Sequence, residues 1–527
     1  MEQSGKNQDS LTQRRKVAKV AKQTKEFLLS GLCALATLRE TLLVFQRLLV
    51  AGAVILTASS VGAVTRPHYG GTLRVELQAQ VPSFVPSEQL EGEEAELSAL
   101  LQNLVCDRLV RLDAEGHPQP GLALSWTHDA QNVKWRFTLR PGVKWHDGSP
   151  FTAADAVAAL AGTMPPGLRD AGLQADGETL EIEAGDQDSK FLQDLATSAR
   201  WVIRSGLAGA EPPGVPRGGI GTGPFRITAW EPGRRAVLQA NDDYWGGRPY
   251  LDAIEFEMGR PSREQLIDLE LDKADLVELD PAEARRAQQE GWKVWTSAPV
   301  ELVCLRFNPG RPAARDQRLR EAIASSIDRS AIQKVLVQNY GEVTGAILPQ
   351  RLSGYAFLFP TAADLERARR LKAEIGSPPV LKVGYDRSDI LARQVAERLA
   401  VNARDAGITL EVAPLAPGLR RAAGPPPAGV DAQVERARVD GPTLDEALGQ
   451  ALAALTNDAG LKPALPLRDP EEVYAAERNF LSTFYTVPLV YVPELVGLAS
   501  RVRNFPPAGG REWQDWRLDE VWLEGGP

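Results

Sequence analysis

The segment Trp145-His146-Asp147-Gly148 holds an adjacent histidine and aspartate, the residue types of a general base and its orienting acid. Neighbouring side chains at the end of a strand point to opposite sides, and Asp147-Gly148 is typical of a turn. No nucleophile with a fixed spacing accompanies the pair. We therefore expect a structural role, and the sequence predicts no catalytic residue and no enzyme.

Two other patterns could indicate a bound group. Gly219 to Gly223 suggests a phosphate loop, but Pro224 breaks the dinucleotide pattern and no Lys-Ser/Thr pair follows, so we expect tight turns. The four histidines are scattered without metal-ligand spacing; they are His68, His117, His128 and His146. The sequence therefore predicts neither a metal site nor a cofactor.

The three cysteines are Cys33, Cys106 and Cys304. Cys33 lies in the N-terminal leader, Cys106 in an apolar helical stretch, and Cys304 in a strand-like apolar run. We expect Cys106 and Cys304 to be buried small hydrophobic residues. A Cys106–Cys304 disulfide is the alternative.

The charge is unevenly distributed along the 527 residues, whose formal net charge is -9. Residues 1–63 hold nine Lys/Arg and four Asp/Glu, so the remainder is strongly acidic. A nucleic-acid partner would need a basic face, and we expect none.

Residues 1–63 form a basic leader with a signal or anchor segment. An apolar run from Leu48 to Val64 follows Arg47, and Val61 and Ala63 stand like the −3 and −1 positions of a cleavage site. This pattern predicts export. Two alternatives remain open: the true start lies downstream, or the run stays uncleaved as a short membrane anchor. Because no cysteine follows the cleavage point, lipid anchoring is not supported.

Hydrophobic periodicity predicts a β-rich first half and an α/β second half. A capping box formed by Thr152 and Asp155 opens a helix from Ala153 to Ala161. The other predicted elements are a strand at 72–77, a helix at 93–106, a strand around 135–139, a hairpin across 225–239, a helix at 316–340, and a βαβ unit. That unit comprises a strand at 381–385, a helix at 388–406 ending at Gly407, and a strand at 408–412.

Three blocks carry a family resemblance. The first runs from Leu139 to Gly148 (LRPGVKWHDG) and continues as FTAADAV from Phe151. The second is GTGPF from Gly221, continuing to NDDYWGGRPYLD from Asn241. The third is Phe307-Asn308-Pro309, followed by RLREAI from Arg318 and IDR from Ile327. In this order they resemble the extracellular solute-binding proteins of family 5, the dipeptide/oligopeptide-binding type that serves ABC importers.

The resemblance implies an α/β, two-lobed periplasmic-binding-protein fold (type II, cluster C-like) with an extra subdomain inserted in lobe one. Mapped onto this chain, lobe one comprises 70–105, 201–292 and 488–527. The inserted subdomain is 106–200. Lobe two is 293–487, and it is shortened, because the segment from Gly449 to Glu477 lacks the family's Tyr/Asn-rich stretch.

The resemblance also implies a ligand site in the cleft between the lobes. Lobe one contributes the loop after its first strand, with Gln80 and Ser83. Lobe two contributes Tyr385 and Arg387, and Arg387 either holds a ligand carboxylate or is a solvated loop charge. Peptide-binding relatives fix the ligand's α-amine with an aspartate, for which Asp440 is the candidate, although no tryptophan accompanies it.

By this resemblance the chain is the substrate-binding component of an ABC importer. It is expected to be a monomer, periplasmic or membrane-anchored, that captures a small solute, a peptide, and delivers it to an inner-membrane permease served by a separate ATPase. One alternative is a membrane-tethered sensor or scaffold with a degenerate binding fold. A hydrolase on the same scaffold is disfavoured for want of a nucleophile and base.

Overall fold

The computed structural model describes residues 66–85, 92–113, 117–129, 133–161, 172–183, 191–197, 202–204, 212–416, 426–439, 443–456, 467, 469–506 and 516–525. The chain divides into two compact units, Met1–Pro67 and His68–Pro527, and the second is described below. The predicted leader and Cys33 fall outside the described residues. Within the described ranges, no helix is both long and apolar enough to cross a bilayer.

The strands are given first, in chain order. They are β1 (Thr72–Glu76), β2 (Val110–Leu112), β3 (Pro118–Pro120), β4 (Ala123–His128), β5 (Lys134–Leu139), β6 (Leu173–Asp176), β7 (Thr179–Glu183), β8 (Phe225–Glu231), β9 (Arg235–Ala240), β10 (Ala253–Glu257), β11 (Leu276–Glu278), β12 (Lys293–Thr296), β13 (Glu301–Phe307), β14 (Glu342–Val343), β15 (Leu381–Asp386), β16 (Leu410–Leu415), β17 (Ala432–Arg438), β18 (Thr486–Val492), β19 (Leu495–Leu498), β20 (Val502–Arg503) and β21 (Trp522–Leu523).

The longer helices follow the same convention. They are α1 (Gly92–Val105), α2 (Ala153–Ala161), α3 (Phe191–Thr197), α4 (Ser262–Glu270), α5 (Pro281–Gln289), α6 (Gln317–Ser326), α7 (Leu365–Ile375), α8 (Ile390–Asp405), α9 (Leu444–Leu455) and α10 (Pro470–Leu481). Short helical turns occur at Pro312–Ala314, Arg329–Ala331, Ile332–Leu336, Gln350–Ser353 and Ala356–Leu358.

The first lobe is built on a seven-stranded sheet in the order β12-β19-β11-β1-β10-β9-β8. Its centre is parallel, because β1 pairs with both β10 and β11 in the same direction. The predicted hairpin is present as β8 and β9, and Gly233 adopts a φ of 68° in its turn, a conformation that glycine reaches without strain. Helices α1, α4 and α5 contribute buried side chains to the core of this sheet.

The second lobe is built on a six-stranded sheet in the order β14-β18-β13-β17-β15-β16. The predicted βαβ unit is confirmed: β15 and β16 are parallel neighbours joined by α8. The Asp389 side chain caps α8 by accepting from Ala392 N, and Gly407 follows with a φ of 77°. Strand β16 includes Pro414 and lies at the edge of the sheet, where the missing N–H leaves no sheet partner unsatisfied.

The inserted subdomain is built on a four-stranded antiparallel sheet in the order β4-β5-β7-β6. On β5 the buried residues Trp135, Phe137 and Leu139 alternate with exposed ones, as predicted. The Thr152–Asp155 capping box is present, since Asp155 Oδ2 accepts from Thr152 N at 2.8 Å and Thr152 Oγ1 accepts from Asp155 N at 3.3 Å. This subdomain has its own hydrophobic core.

The two body cysteines are free thiols, so the disulfide alternative is wrong. Cys106 belongs to the core of the first lobe, and Cys304 to a core in the second lobe between β13 and helices α9 and α10. Burial raises the pKa of Cys106 to about 12 and that of Cys304 even further. Both thiols are therefore protonated and unreactive at neutral pH.

The predicted helix at 316–340 is wrong in its length. Helix α6 ends at Ser326 because Ile327 is extended (ψ 119°), and Asp328 caps a new turn by accepting from Ala331 N. Leu319, Ile323 and Ile327 are all buried as the pattern required. A π-helical turn follows at Ile332–Leu336.

Sheet membership places the two chain crossings slightly later than the predicted segments did. Lys293–Thr296, predicted to begin lobe two, is hydrogen-bonded into the first sheet as β12. Thr486–Val492 lies in the second sheet as β18, although lobe one was predicted to resume at 488. The crossings therefore run through 297–300 and 493–494. There Ser297 N donates to Glu494 O at 3.0 Å, so the two crossings lie side by side.

Candidate functional site

The carboxyl ends of the parallel strands β1, β10 and β11 share one edge of the first sheet, and those of β15 and β17 share one edge of the second. In open α/β sheets, ligands bind outside such strand ends. The end of β17 lies against the first lobe, because Arg438 Nη1 is 2.6 Å from Glu96 Oε2 of α1. The candidate site is therefore the region between these two edges.

Buried carboxylates fix the edge of the first sheet. Gln78 N donates to Glu278 Oε2 at 2.7 Å, and this bond anchors the chain where it leaves β1. Burial, and next the negative charge of Asp268, raise the pKa of Glu76 to about 7, with Arg260 opposing the shift. Glu76 therefore keeps its proton to a higher pH than an exposed glutamate does.

The two predicted ligand residues of the first lobe follow this anchor. Gln80 is exposed, and its side chain lies against Gly259, where an added Cβ would come within 2.2 Å of Gln80 Nε2. The residues on either side of Gln80 are hydrogen-bonded to two turns: Gly259 N donates to Ala79 O, and Gly233 N donates to Val81 O. Ser83 is exposed, and its hydroxyl donates to Val85 O at 3.1 Å.

The two predicted residues of the second lobe lie in the β15–α8 loop. Tyr385 is half-buried against the lobe-two core, and Arg387 is exposed. Arg387 makes no ion pair with any described residue. The flanking aspartates fix the loop: Asp386 Oδ1 accepts from Ser388 N at 2.7 Å, while Asp389 caps α8. A rigid loop presenting a solvated guanidinium suits recognition of a carboxylate.

Strand β17 carries site residues that the sequence analysis missed. Arg436 is buried, and its Nη1 donates to Glu301 at 2.9 Å while its Nη2 donates to Asp389 Oδ1 at 3.1 Å. It therefore braces the loop that carries Arg387. Arg438, on the same face two residues later, reaches the first lobe. The predicted Asp440 lies outside the described residues. The alternation of arginines at 436 and 438 was the available signal.

The His146–Asp147 pair is structural. The neutral His146 ring donates from Nε2 to Gly223 O at 3.1 Å and accepts at Nδ1 from Gly221 N at 3.2 Å. Asp147 instead accepts from Ser149 N within its own turn. Gly221 and Gly223 pass so close to the end of α1 that an added Cβ would lie 2.0 and 2.6 Å from atoms of Val105. The glycine-rich segment is therefore a close-packed turn, as predicted.

Burial lowers the pKa of His146 to about 4, which makes a pH prediction possible. The unfolded chain takes up this proton near pH 6.5 and the folded chain only near pH 4, so stability is lost as pH falls through that window. From pH 7.5 to 5, we expect His146 to contribute a loss of about 2 kcal/mol. In urea unfolding, the free energy of unfolding of His146→Asn should fall less steeply with decreasing pH than that of the wild type. His128→Asn, at an exposed histidine, should retain the wild-type decline; equal slopes for His146→Asn would contradict the prediction.

Asp107 connects the inserted subdomain to the first lobe. It is 3% exposed and accepts from Trp245 Nε1 at 2.8 Å and from Thr222 Oγ1 at 2.9 Å. The guanidinium of Arg111 lies 2.6 Å from its other oxygen. Asp107 and Arg111 also line a cavity of about 500 Å³ that Trp516 borders. The family blocks GTGPF and DDYWGG thus meet in a structural junction.

The sequence profile of the bacterial extracellular solute-binding proteins, family 5, matches residues 117–443. The chain belongs to this family. Among curated relatives, the nickel-binding periplasmic protein of Escherichia coli (strain K12) is 24% identical over 467 residues, covering 77% of this chain and 87% of that protein. The oligopeptide-binding protein AppA of Bacillus subtilis (strain 168) is 23% identical over 371 residues, covering 64% and 67%.

Solved structures share the fold of this family 5 protein. The periplasmic binding protein DppA of Helicobacter pylori, in complex with the peptide STSA, superposes with a TM-score of 0.68 at 20% identity and covers 87% of this chain and 99% of that one. NikA of Brucella suis in complex with Fe(III)-EDTA gives a TM-score of 0.68 at 19% identity, with 86% and 100% covered. The two-lobed binding-protein fold predicted from the sequence is confirmed.

Proposed function

We propose that this family 5 protein is the substrate-binding component of an ABC importer. It captures a small solute, which we propose is a peptide, between the strand ends of its two lobes and delivers it to the importer's permease. The observation that carries the proposal is the contact of the end of β17 with helix α1 of the first lobe, next to strand ends whose loops are fixed by buried carboxylates. Closure of the lobes around the solute would shift the population toward a closed form that docks on the permease. Relatives named as oligopeptide-binding support a peptide as the solute.

The proposed ligand contacts are Gln80 and Ser83 from the first lobe and Tyr385 and Arg387 from the second. Arg387 would hold the peptide carboxylate, because its guanidinium is exposed on a loop that Asp386 and Asp389 fix. Asp440 would hold the α-amine.

Native mass spectrometry of protein purified from its own cell envelope tests the proposal. A co-purified peptide is the expected result, and added peptides should raise the melting temperature. Repeated absence of any ligand, together with no thermal shift across a library of short peptides, would overturn it. Cell fractionation tests the proposed export of the chain to the periplasm or to a membrane anchor. The mass of the intact protein in the same preparation tests whether it is a monomer.

Arg387→Met should weaken binding of a peptide with a free C-terminus by about 10- to 100-fold, the value of a charge-assisted hydrogen bond. Isothermal titration would measure the loss. Amidating the peptide's C-terminus should cause a similar loss in the wild type and little further loss in Arg387→Met, because both changes remove the same contact. Arg393→Met is the matched control, since Arg393 is a half-exposed arginine on α8 paired with Glu397. Additive losses from variant and amidation would contradict a direct contact.

A further inference from the structure

Arg438, the last residue of β17, makes a buried ionic contact between the lobes. Its side chain is 13% exposed, and its Nη1 lies 2.6 Å from Glu96 Oε2 and 3.2 Å from Glu494 Oε1. The side chains of Glu96 and Glu494 are also shielded from solvent, with exposed fractions of 8% and 13%. Three charges that meet away from solvent interact strongly, because little water screens them.

The three residues come from three different parts of the molecule. Glu96 lies on α1, and the next residue, Leu97, is in the first-lobe core. Arg438 ends a strand at the centre of the second sheet. Glu494 lies in a chain crossing, where its backbone N–H donates to Ser297 Oγ of the other crossing at 2.9 Å. The contact therefore joins both lobes at the hinge.

This geometry favours the lobe arrangement in which the contact is formed. Moving α1 away from the end of β17 would separate Glu96 from Arg438 and leave charges that must be solvated again. Among the described residues, contacts within ion-pair distance join Arg438 to both Glu96 and Glu494, so its guanidinium also screens the repulsion between these two carboxylates. Losing Arg438 would therefore add a repulsive interaction between the first lobe and the crossing.

Strand β17 also links this contact to the ligand loop. Arg436, two residues before Arg438 on the same face, is ion-paired with Asp389 at 3.0 Å. Asp389 begins the helix that follows Arg387. Movement of the strand end at Arg438 is thus connected through one short rigid segment to the loop that is proposed to bind the ligand.

We propose that Arg438 is a positioning residue for ligand capture: by pairing with Glu96 and Glu494 it holds the two lobes in the arrangement seen here and raises ligand affinity without touching the ligand. The effect on ligand rests on the proposed function, whereas the effect on the lobes does not. If the binding-competent arrangement is populated less, the apparent affinity falls by the same factor.

Pulsed electron paramagnetic resonance measures the lobe arrangement directly in the ligand-free protein. Spin labels at Ile267 on α4 and Val401 on α8 report the inter-lobe distance, since both positions are 43% exposed. The buried thiols of Cys106 and Cys304 will not compete for the label, and Cys33→Ser removes the remaining cysteine.

In Arg438→Met, the ratio of molecules at the wild-type distance to molecules at longer distances should fall about tenfold. Glu96→Gln should lower this ratio as well. The double variant should lower it no more than Arg438→Met alone does, because both changes break the same contact. Arg438→Lys keeps the charge and should restore most of the wild-type distribution. Arg393→Met, which removes a surface arginine of the same lobe, should leave the distribution unchanged.

Unchanged distances in both Arg438→Met and Glu96→Gln would overturn the proposal. If Arg438→Met does not fold, Glu96→Gln and Arg438→Lys still decide it. Peptide titration supplies the second readout: apparent affinity should fall by the same factor as the fraction of molecules at the wild-type distance, and Arg438→Lys should restore it. If no peptide binds even the wild type, the proposed function fails, while the distances still judge the role of Arg438.

Discussion

Asp107→Asn is expected to lower the free energy of unfolding by about 3–5 kcal/mol, as breaking a buried charged network does. The asparagine has nearly the same shape, so no cavity forms and the loss is electrostatic. In the wild type, one carboxylate oxygen accepts from Arg111 and Tyr244. The other accepts from Thr222 and Trp245.

An amide cannot satisfy this set of donors. Whichever way it is turned, its NH₂ group faces two donors, and one pair loses its acceptor. The guanidinium of Arg111 also loses its counter-charge, although it remains 4.7 Å from the Trp245 ring. Because this junction holds the inserted subdomain on the first lobe, we expect the subdomain to loosen first.

Denaturant unfolding with limited proteolysis checks this expectation. The matched control is Asp243→Asn, because Asp243 precedes the Asp107 partners Tyr244 and Trp245 in the chain but is 64% exposed and pairs with Lys144 at the surface. It should change the free energy of unfolding by less than about 0.5 kcal/mol. A loss for Asp107→Asn as small as that of the control would show that the junction does not depend on the charge.

Arg306→Met should lower the free energy of unfolding by a similar amount, about 3–5 kcal/mol at pH 8. Arg306 is 4% exposed, and its Nη2 donates to Glu435 Oε2 at 3.0 Å while its Nη1 donates to Leu455 O at 3.5 Å. The guanidinium thus neutralises a buried carboxylate and also satisfies the end of α9. Methionine fills much of the volume but does neither.

Two measurements identify the charge as the cause. Burial raises the pKa of Glu435 to about 7 even with Arg306 opposing the shift. A folded-state pKa above the unfolded value means that low pH favours the folded state, so the deficit of Arg306→Met should shrink as pH falls from 8 to 5.5. The double variant Arg306→Met/Glu435→Gln should also be more stable than Arg306→Met alone, because it no longer buries a charge without a partner.

Arg367→Met is the control for the loss of an arginine. Arg367 pairs with Glu321 on the surface and is 51% exposed, so its removal should cost less than about 1 kcal/mol. If calorimetry gave Arg306→Met the same deficit at both pH values, packing of the side chain, and not its charge, would explain the loss.

The sequence by itself determined the local structure and the family. Helix ends depend on neighbouring residues. The helix start at Thr152 and Asp155 and the helix end at Gly407 therefore occur where the sequence pattern predicted them. Period-two alternation predicted β5 because that strand buries one face and exposes the other. The three family blocks predicted the two-lobed fold.

Strand β17 shows what only the tertiary structure decided. Its residues from Gln433 to Arg438 include four that are polar or charged, so no hydrophobic pattern predicted a strand there. Burial is possible because the partners arrive from distant segments: Arg306 for Glu435, and Glu301 and Asp389 for Arg436. Arg438 and Glu96, which are also in contact, are still farther apart along the chain.

The candidate site divides in the same way. The sequence determined that Arg387 follows a strand and precedes a helix, since that follows from local periodicity. Its bracing by Arg436 and the ionic contact of Arg438 between the lobes were decided by the tertiary structure, because an ion pair depends on which side chains the fold brings together. Spacing along the chain carries no information about such partners, because Arg436 and Asp389 are 47 residues apart and Arg438 and Glu96 belong to different lobes.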